Sequence, residues 1–230
     1  MKRHLKRLAS YKSWPVDKKS SRFLTRPLPG GHSFSLGVPL NILIRDVLKQ
    51  ARVSWEVKNI LNQKGIKIDG KIRKNSRFLV GLMDVIEFPS LEEAYRIVIN
   101  TQGKLKAISI PVENSNVKLC KIIGKKYVKK GMLQLNFHDG KNVLVKNDSY
   151  KIGDSVVVNI PENVVASHLK LEKGTMIYLT GGHYIGKFAS VEDLRNEKII
   201  FKLNDELRET LKKFAFVVGK DKPAVNLGEI

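Results

Sequence analysis

The sequence predicts a multidomain α+β protein, and three observations carry that reading: a basic opening stretch without a core, one helical region ending in a hairpin, and a long half of alternating strands. Residues 1–40 show no sustained hydrophobic period and are punctuated by Pro15, Pro27, Pro29, Gly30, Gly31, Gly37 and Pro39. Alone they bury too little apolar surface to fold. They read as a basic N-terminal extension, with a short helical turn through His4–Leu8 and with Trp14 and Phe23 as isolated apolar anchors.

Residues 41–94 read as a helix pair followed by a hairpin. From Pro39 the apolar set Leu40, Leu43, Ile44, Val47, Leu48 and Ala51 has the i, i+3, i+4, i+7 spacing of an amphipathic helix. At about 100° per residue these positions share one face, and Arg45, Lys49 and Arg52 fall together on nearly the opposite one. Ser54 is expected to cap a second helix, with Glu56 in its first turn, Val57, Ile60 and Leu61 buried, and Gly65 at C′. Lys58 and Lys64 add charge there. Ile66 to Lys74 then alternates apolar and basic residues about Asp69-Gly70, a strong hairpin signal. The isoleucines are expected to point one way, with Lys67, Lys71 and Arg73 on the exposed side or in the turn. Phe78–Val80 and Asp84–Phe88 supply later strands, with Gly81 between them.

Residues 95–172 read as a central small β-barrel or sandwich domain. Its strands are Tyr95–Ile99, Leu105–Ile110, Lys118–Ile123, Leu133–Phe137, Val143–Val145 and Ser155–Ile160, with turns at 101–103, 138–140 and 152–154. Lys125, Lys126, Lys129 and Lys130 form an expected basic loop around Tyr127. As a solvated charge run this loop needs no function, whereas its aromatic neighbour suits RNA contact. In residues 173–230 a strand, Met176–Leu179, runs into Gly181-Gly182 and then Gly186-Lys187 before a second strand, which lets backbone amides approach a partner without Cβ obstruction. Asp205–Lys213 places acids first and bases last, the order that suits a short helix.

Charge narrows the function. Among 230 residues, 42 Lys and Arg face 22 Asp and Glu, a net of +20, which excludes an acidic or near-neutral metabolic enzyme of ordinary surface. With 42% hydrophobic residues the chain is no disordered tail. A surface this positive calls for a polyanion, and nucleic acid is the default. Residues 1–40 hold nine basic groups and one acid, a net of +8; the nets for 41–89, 90–172 and 173–230 are +5, +5 and +2. Nine of the eleven arginines lie in the first 96 residues, and guanidinium forks bind phosphate bidentately where lysine acts mostly as a point charge. Candidate RNA-binding residues are therefore Lys2, Arg3, Lys6, Arg7, Lys12, Lys18, Lys19, Arg22 and Arg26 in the extension. Arg45, Lys49, Arg52, Lys58, Lys64, Lys67, Lys71, Arg73, Lys74 and Arg77 follow in the helix–hairpin region, and Lys125 and Lys126 in the central domain. A solvated extension without a partner is the competing reading of the first group.

Catalytic chemistry finds little support. His4, His32, His138, His168 and His183 are scattered, without HExxH or CxxC company. No GxSxG elbow and no GxxxxGK[ST] loop occurs, and the acidic pairs Glu92-Glu93, Glu192-Asp193 and Asp205-Glu206 sit in polar turns or helix starts. The single Cys120 excludes an intramolecular disulfide framework and fits a small strand residue in a reducing compartment. No stretch approaches the ~18 apolar residues of a membrane span, and the basic N-terminus has no apolar segment behind it. The expectation is a cytoplasmic protein that is not an enzyme, with no cofactor, no metal, no membrane and no small-molecule substrate.

The run from Val53 to Phe88, above all GIKIDGKIRKNSRFLVGLMDVIEF, resembles the S-four-type RNA-binding module of ribosomal proteins, some tRNA synthetases and pseudouridine synthases. The leader HLKRLASYKSW with TRPLPGGH resembles the N-terminal signature of the S-four-e family of archaeal and eukaryotic small-subunit ribosomal proteins, whose members more often have proline at the places of Ser10 and Gly31. GTMIYLTGGHYIGKFASV, residues 174–191, is similar to the KOW motif with its SH3-like barrel, Gly186 standing at the motif's glycine. FVVGKDKPAVNL at 216–227 resembles the family's C-terminus, and a helix at 205–213 is unusual for it. The resemblance implies a structural constituent of the small ribosomal subunit, bound to small-subunit ribosomal RNA and neighbouring ribosomal proteins, and the short lysine-rich chain points to archaeal members. The alternative is a free regulatory factor that bridges RNA and a protein such as RNA polymerase.

Overall fold

The computed structural model describes residues 4–228 except 64, 129, 130, 147, 205 and 221. These form two compact units, one from residues up to 99 with 104–116, the other from 100–103 with the chain from 117 onward. Both are mostly β-sheet. Among the described residues α2, introduced below, is the one α-helix longer than a turn, so helix contributes less than the expected α+β class implies.

In the first unit, strand β1 (Leu5–Lys6) precedes a 3-10 turn at Arg7–Ala9 and pairs antiparallel with β2 (Phe23–Leu24). The helical turn expected through His4–Leu8 is thus half strand. β3 (Gly37–Pro39) leads into α1 (Leu40–Ile42), which widens into a π-helical turn at Leu43–Val47. α2 (Ser54–Gln63), β4 (Lys67–Ile68), β5 (Lys71–Ile72), β6 (Leu79–Gly81), β7 (Val85–Phe88), β8 (Glu93–Ile99) and β9 (Leu105–Ile110) follow. β3 pairs with β6, while β4, β5, β7, β8 and β9 form one antiparallel sheet in the order β5-β4-β7-β8-β9. The boundary expected between 94 and 95 falls inside β8, which pairs with β7 on one side and β9 on the other.

The extension has more core than its composition suggests. Trp14 and Leu24 are buried, the Trp14 indole N–H donates to the Phe34 carbonyl at 3.0 Å, and the Leu105 amide donates to Ser13 O at 2.8 Å. A large aromatic with its polar edge satisfied anchors the chain by area and by one bond.

The first helix is shorter than expected. Its ladder ends at Leu48, Lys49 takes a left-handed φ of 56°, and the Gln50 amide closes back on Ile44 O at 3.0 Å, the 6→1 bond of a helix stop. Lys49 and Arg52 therefore leave the helix that carries Arg45. Ser54 does not cap α2 with its hydroxyl, which instead accepts from Asn41 Nδ2 at 3.0 Å and Arg45 Nη1 at 3.2 Å. Glu56 does that work, its carboxylate accepting the Arg52 amide at 2.7 Å and the Val53 amide at 3.3 Å. Gly65 has a φ of 60° at the far end.

Asp69 (φ 48°) and Gly70 (φ 72°) form the two-residue turn with both central φ positive that suits a twisted hairpin. The Asp69 carboxylate also accepts the Val85 amide at 3.0 Å, tying the turn to β7. The register pairs Lys67 with Ile72 and Ile68 with Lys71. A two-residue turn reverses the parity of the alternation, so Ile72 shares a face with Lys67 and is exposed, opposite to buried Ile68.

In the second unit, β10 (Val117–Tyr127), β11 (Leu133–Phe137), β12 (Asn142–Val145), β13 (Ser155–Asn159) and β14 (Val164–Leu169) form an antiparallel sheet in the order β12-β11-β10-β13-β14. Alternate residues Cys120, Ile122, Leu133, Leu135, Phe137, Val156 and Val158 build its core. Lys125, Lys126 and Tyr127 belong to the end of β10, so the expected basic loop is there a strand; Lys129 and Lys130 lie outside the described residues.

A further sheet runs β18-β17-β16-β15-β19, from β15 (Met176–Leu179), β16 (Phe188–Arg195), β17 (Lys198–Leu203), β18 (Glu206–Leu211) and β19 (Ala215–Gly219). β18 replaces most of the helix expected at 205–213, with a 3-10 turn from Lys212 and with Asp205 outside the described residues. It pairs with β17 along its whole length, from Leu203 with Glu206 to Lys198 with Leu211. Helix propensity is a weak prior, and a strand edge offering six pairs overrides it. Asn204, at φ 48°, starts the turn. No described helix is long and apolar enough to cross a membrane.

Candidate nucleic-acid interface

In the first unit the acids between residues 41 and 89 are largely used inside the fold. Asp46 holds Arg45, Glu56 caps α2, and Asp69 and Asp84 are buried. The bases are mostly left outside. Lys6, Lys12, Lys18, Lys19 and Arg22 are exposed in the extension, as are Lys49, Arg52, Lys58, Lys71 and Lys74 further on. Lys67, Arg73 and Arg26 are half-buried. This asymmetry leaves a positive surface that, among the described residues, no internal carboxylate neutralises, the electrostatic requirement for docking phosphates.

Three arginines from the candidate set have internal work. Arg7 is buried, with Nε donating to Ser21 Oγ at 2.9 Å and Nη1 to Asp17 O at 2.7 Å. Arg45 makes a bidentate pair with Asp46 at 2.8 and 2.9 Å, and its hydrogen bonding to that carboxylate raises its pKa. Arg77 donates Nε to Arg26 O at 2.9 Å. Sequence position cannot separate these from surface arginines, because the partners of Arg7 and Arg77 lie far along the chain. Lys2, Arg3 and Lys64 lie outside the described residues.

Aromatic surface accompanies the charge. Trp55 is 69% exposed on α2. At about 100° per residue it lies on the side of Lys58 and away from Val57 and Leu61, a placement that helical periodicity alone reveals and that the charge-based list missed. Phe23 is exposed with the Arg22 guanidinium 5.3 Å from its ring, and Arg73 lies 4.5 Å above Phe78.

In the second unit Lys125 is engaged, its ammonium 2.6 Å from Asp148. The Tyr127 hydroxyl donates to the same carboxylate, and both bonds, that of Lys125 first, hold the Asp148 pKa down. Lys126 is exposed. The glycines expected to open the backbone to a partner are filled from within. A side chain at Gly181 would strike the Phe214 ring, and one at Gly186 would strike the backbone of Asn100 and Thr101. These two glycines allow close packing of the chain on itself. Gly182 and Lys187 remain exposed.

The chain matches the family model described as Ribosomal family S4e over residues 91–165 and the RS4NT (NUC023) domain over residues 1–35. It is 38% identical over 240 aligned residues to the small ribosomal subunit protein eS4 of Methanocaldococcus jannaschii, covering 98% of each chain. The protein of the same name from Methanocella arvoryzae is 37% identical, with 96% of each chain covered. The crystal structure of the 30S ribosomal protein S4e from Thermoplasma acidophilum superposes with a TM-score of 0.71 at 30% identity, over 81% of this chain and 96% of that one. The leader, the strand-rich middle and the remainder thus all fall within one alignment, and the protein belongs to the S4e family of ribosomal proteins, which are structural components and not enzymes.

Proposed function

We propose that the protein is a structural constituent of the small ribosomal subunit, ribosome-bound in the cytoplasm, and that it binds small-subunit ribosomal RNA through its first unit. The observation that carries this reading is the division of labour among charges there: Asp46, Glu56, Asp69 and Asp84 are used internally while Arg52, Lys58, Lys71 and Lys74 face solvent. α2 with the β4–β5 hairpin is read as an S-four-type module, and the β15–β19 sheet with its Gly181 to Lys187 turn as a KOW-like, SH3-type element. The names of the relatives support the assignment to the subunit.

Recognition would run through RNA shape and backbone, because the deep, narrow major groove of A-form RNA excludes side chains. Neighbouring ribosomal proteins are the second class of partner, suited to the β-rich second unit, whose C-terminal residues 173–230 carry a net of only +2 from ten bases and eight acids. The test is binding to small-subunit ribosomal RNA across a salt series. Affinity should fall with a log–log slope of roughly −0.7 to −0.9 per phosphate contacted, and affinity indifferent to salt would refute the mechanism.

A further inference from the structure

The first unit contains a cleft of about 700 Å³ between residues 28–30 and the segment from Ile72 to Leu79. Its two sides are fixed to each other. The Leu28 amide donates to Arg77 O at 2.9 Å, Arg77 Nε donates to Arg26 O at 2.9 Å, and the Arg73 amide closes the hairpin on Ile66 O at 2.9 Å. The cleft is therefore built into the fold.

Its lining has two chemistries. Leu28, Pro29, Ile72 and Phe78 offer apolar surface, and Ile72 is 56% exposed. Arg73 and Lys74 bring two positive charges, and among the described residues no carboxylate lines the cleft. The Arg73 guanidinium is stacked on Phe78, with 4.5 Å from its carbon to the ring centroid, and its Nε is buried without a hydrogen-bond partner among the described residues. Asn75 is held by its carbonyl oxygen, which accepts the Arg77 amide at 2.9 Å, and its NH₂ group supplies two more donors at the cleft.

A simple anion would use the cations and leave the apolar walls idle, and an apolar ligand would do the reverse. A planar base joined to a phosphate uses both, and the volume lies within the range that takes a ligand of that size. A base inside a duplex cannot reach such a cleft, whereas one in a loop or bulge can be splayed out against an arginine plane. Resting on the RNA-binding reading above, we propose that this cleft receives a single unstacked nucleotide of the bound RNA, its base packed on the Leu28 and Ile72 side beside the Arg73 plane and its phosphate at Lys74.

The test is NMR titration of the ¹⁵N-labelled full chain with 5′-AMP, with 5′-UMP and, separately, with inorganic phosphate, alongside binding of small-subunit ribosomal RNA. Saturable shifts of the Arg73 Nε–H, the Asn75 side-chain amide and the Phe78 backbone amide with nucleotide, absent with phosphate, are the expected result. The same shifts with phosphate would reduce the cleft to an anion site and overturn the proposal. No shift with nucleotide while ribosomal RNA still binds would overturn it and leave the RNA-binding reading standing; failure of both would remove both. Arg73→Lys, which keeps the charge and loses the plane, should weaken nucleotide binding about five-fold or more with the thermal transition unchanged, and unaltered affinity would also count against the proposal.

Discussion

The ammonium of Lys121 on β10 lies 2.9 Å from the carbonyl oxygen of Lys213, and it also reaches Lys212 O at 3.3 Å and Ala215 O at 2.5 Å. One buried cation thus gathers two carbonyls from the turn before β19 and one from its first residue, and joins two sheets of the second unit. Burial first, and the nearby Lys212 charge second, push its pKa down from 10.5 to about 8.

That shift sets a pH dependence with a definite sign. Between pH 8 and 10.5 the unfolded chain keeps a proton on Lys121 that the folded chain has released, so this residue's contribution to stability rises with pH across the window. Below it the folded state carries the full cost of the buried ammonium, at most on the order of 3 kcal/mol. Lys121→Met keeps the length and removes the titration. Urea unfolding should show the wild-type-minus-variant difference growing from below pH 8 to 10.5, and a flat difference would defeat the argument.

Glu56 closes the start of α2 by accepting two amides, and among the described residues no hydroxyl duplicates its role there. Glu56→Ala should lower stability by about 1 kcal/mol, the usual worth of a cap, seen as a lower urea midpoint. RNA affinity of the folded variant should not fall, because the change removes a negative charge.

Legibility divides along the range of the forces involved. The Asp69-Gly70 hairpin and the strands Leu105–Ile110, Leu133–Phe137 and Met176–Leu179 can be read from sequence because turn chemistry and period-two alternation are local. β18 cannot, because Leu207 and Leu211 are both exposed and its strand character comes from the β17 edge. The basic character of the candidate interface was legible from charge counting alone. Which arginines stay free was not: Arg7 is removed by Ser21 and Asp17, and Arg77 by Arg26, through contacts spanning ten or more residues. Glycines behave likewise, since Gly181 and Gly186 look open in sequence and are filled by Phe214 and by the 100–101 backbone.

If the exposed bases dock phosphates, their removal should act on the salt slope. Replacing Arg52, Lys58, Lys71 and Lys74 together by Gln should reduce the slope of log affinity against log salt by about 3 in magnitude. Arg7→Gln is the contrast. It should lower the thermal midpoint by removing the buried guanidinium and its hydrogen bonds to Ser21 and Asp17, with the slope for the folded protein preserved. Equal slopes for the quadruple variant and the wild type would show that the phosphates are held elsewhere.

Trp55 presents most of its indole to solvent beside Lys58, so its truncation has little core to lose. Trp55→Ala should weaken binding of single-stranded RNA segments by about 1–3 kcal/mol if a base stacks there, with the thermal midpoint unmoved. Fluorescence of the wild type offers a second reading, since stacking should quench the indole as RNA is added. Unquenched emission at saturating RNA would remove Trp55 from the interface.

The Gly186 position separates packing from recognition. Its φ of 78° is left-handed, and a Cβ there would meet the Asn100 carbonyl carbon and oxygen and the Thr101 nitrogen, which are backbone atoms unable to swing aside. Gly186→Ala should therefore cost about 1–2 kcal/mol from the backbone conformation, with the collision added to it, and the thermal midpoint of the second unit should fall. If the glycine instead served to admit RNA, the variant would keep its stability and lose affinity. Calorimetry and an RNA titration on the same preparation distinguish the two, and the contact with Asn100 predicts the loss in stability.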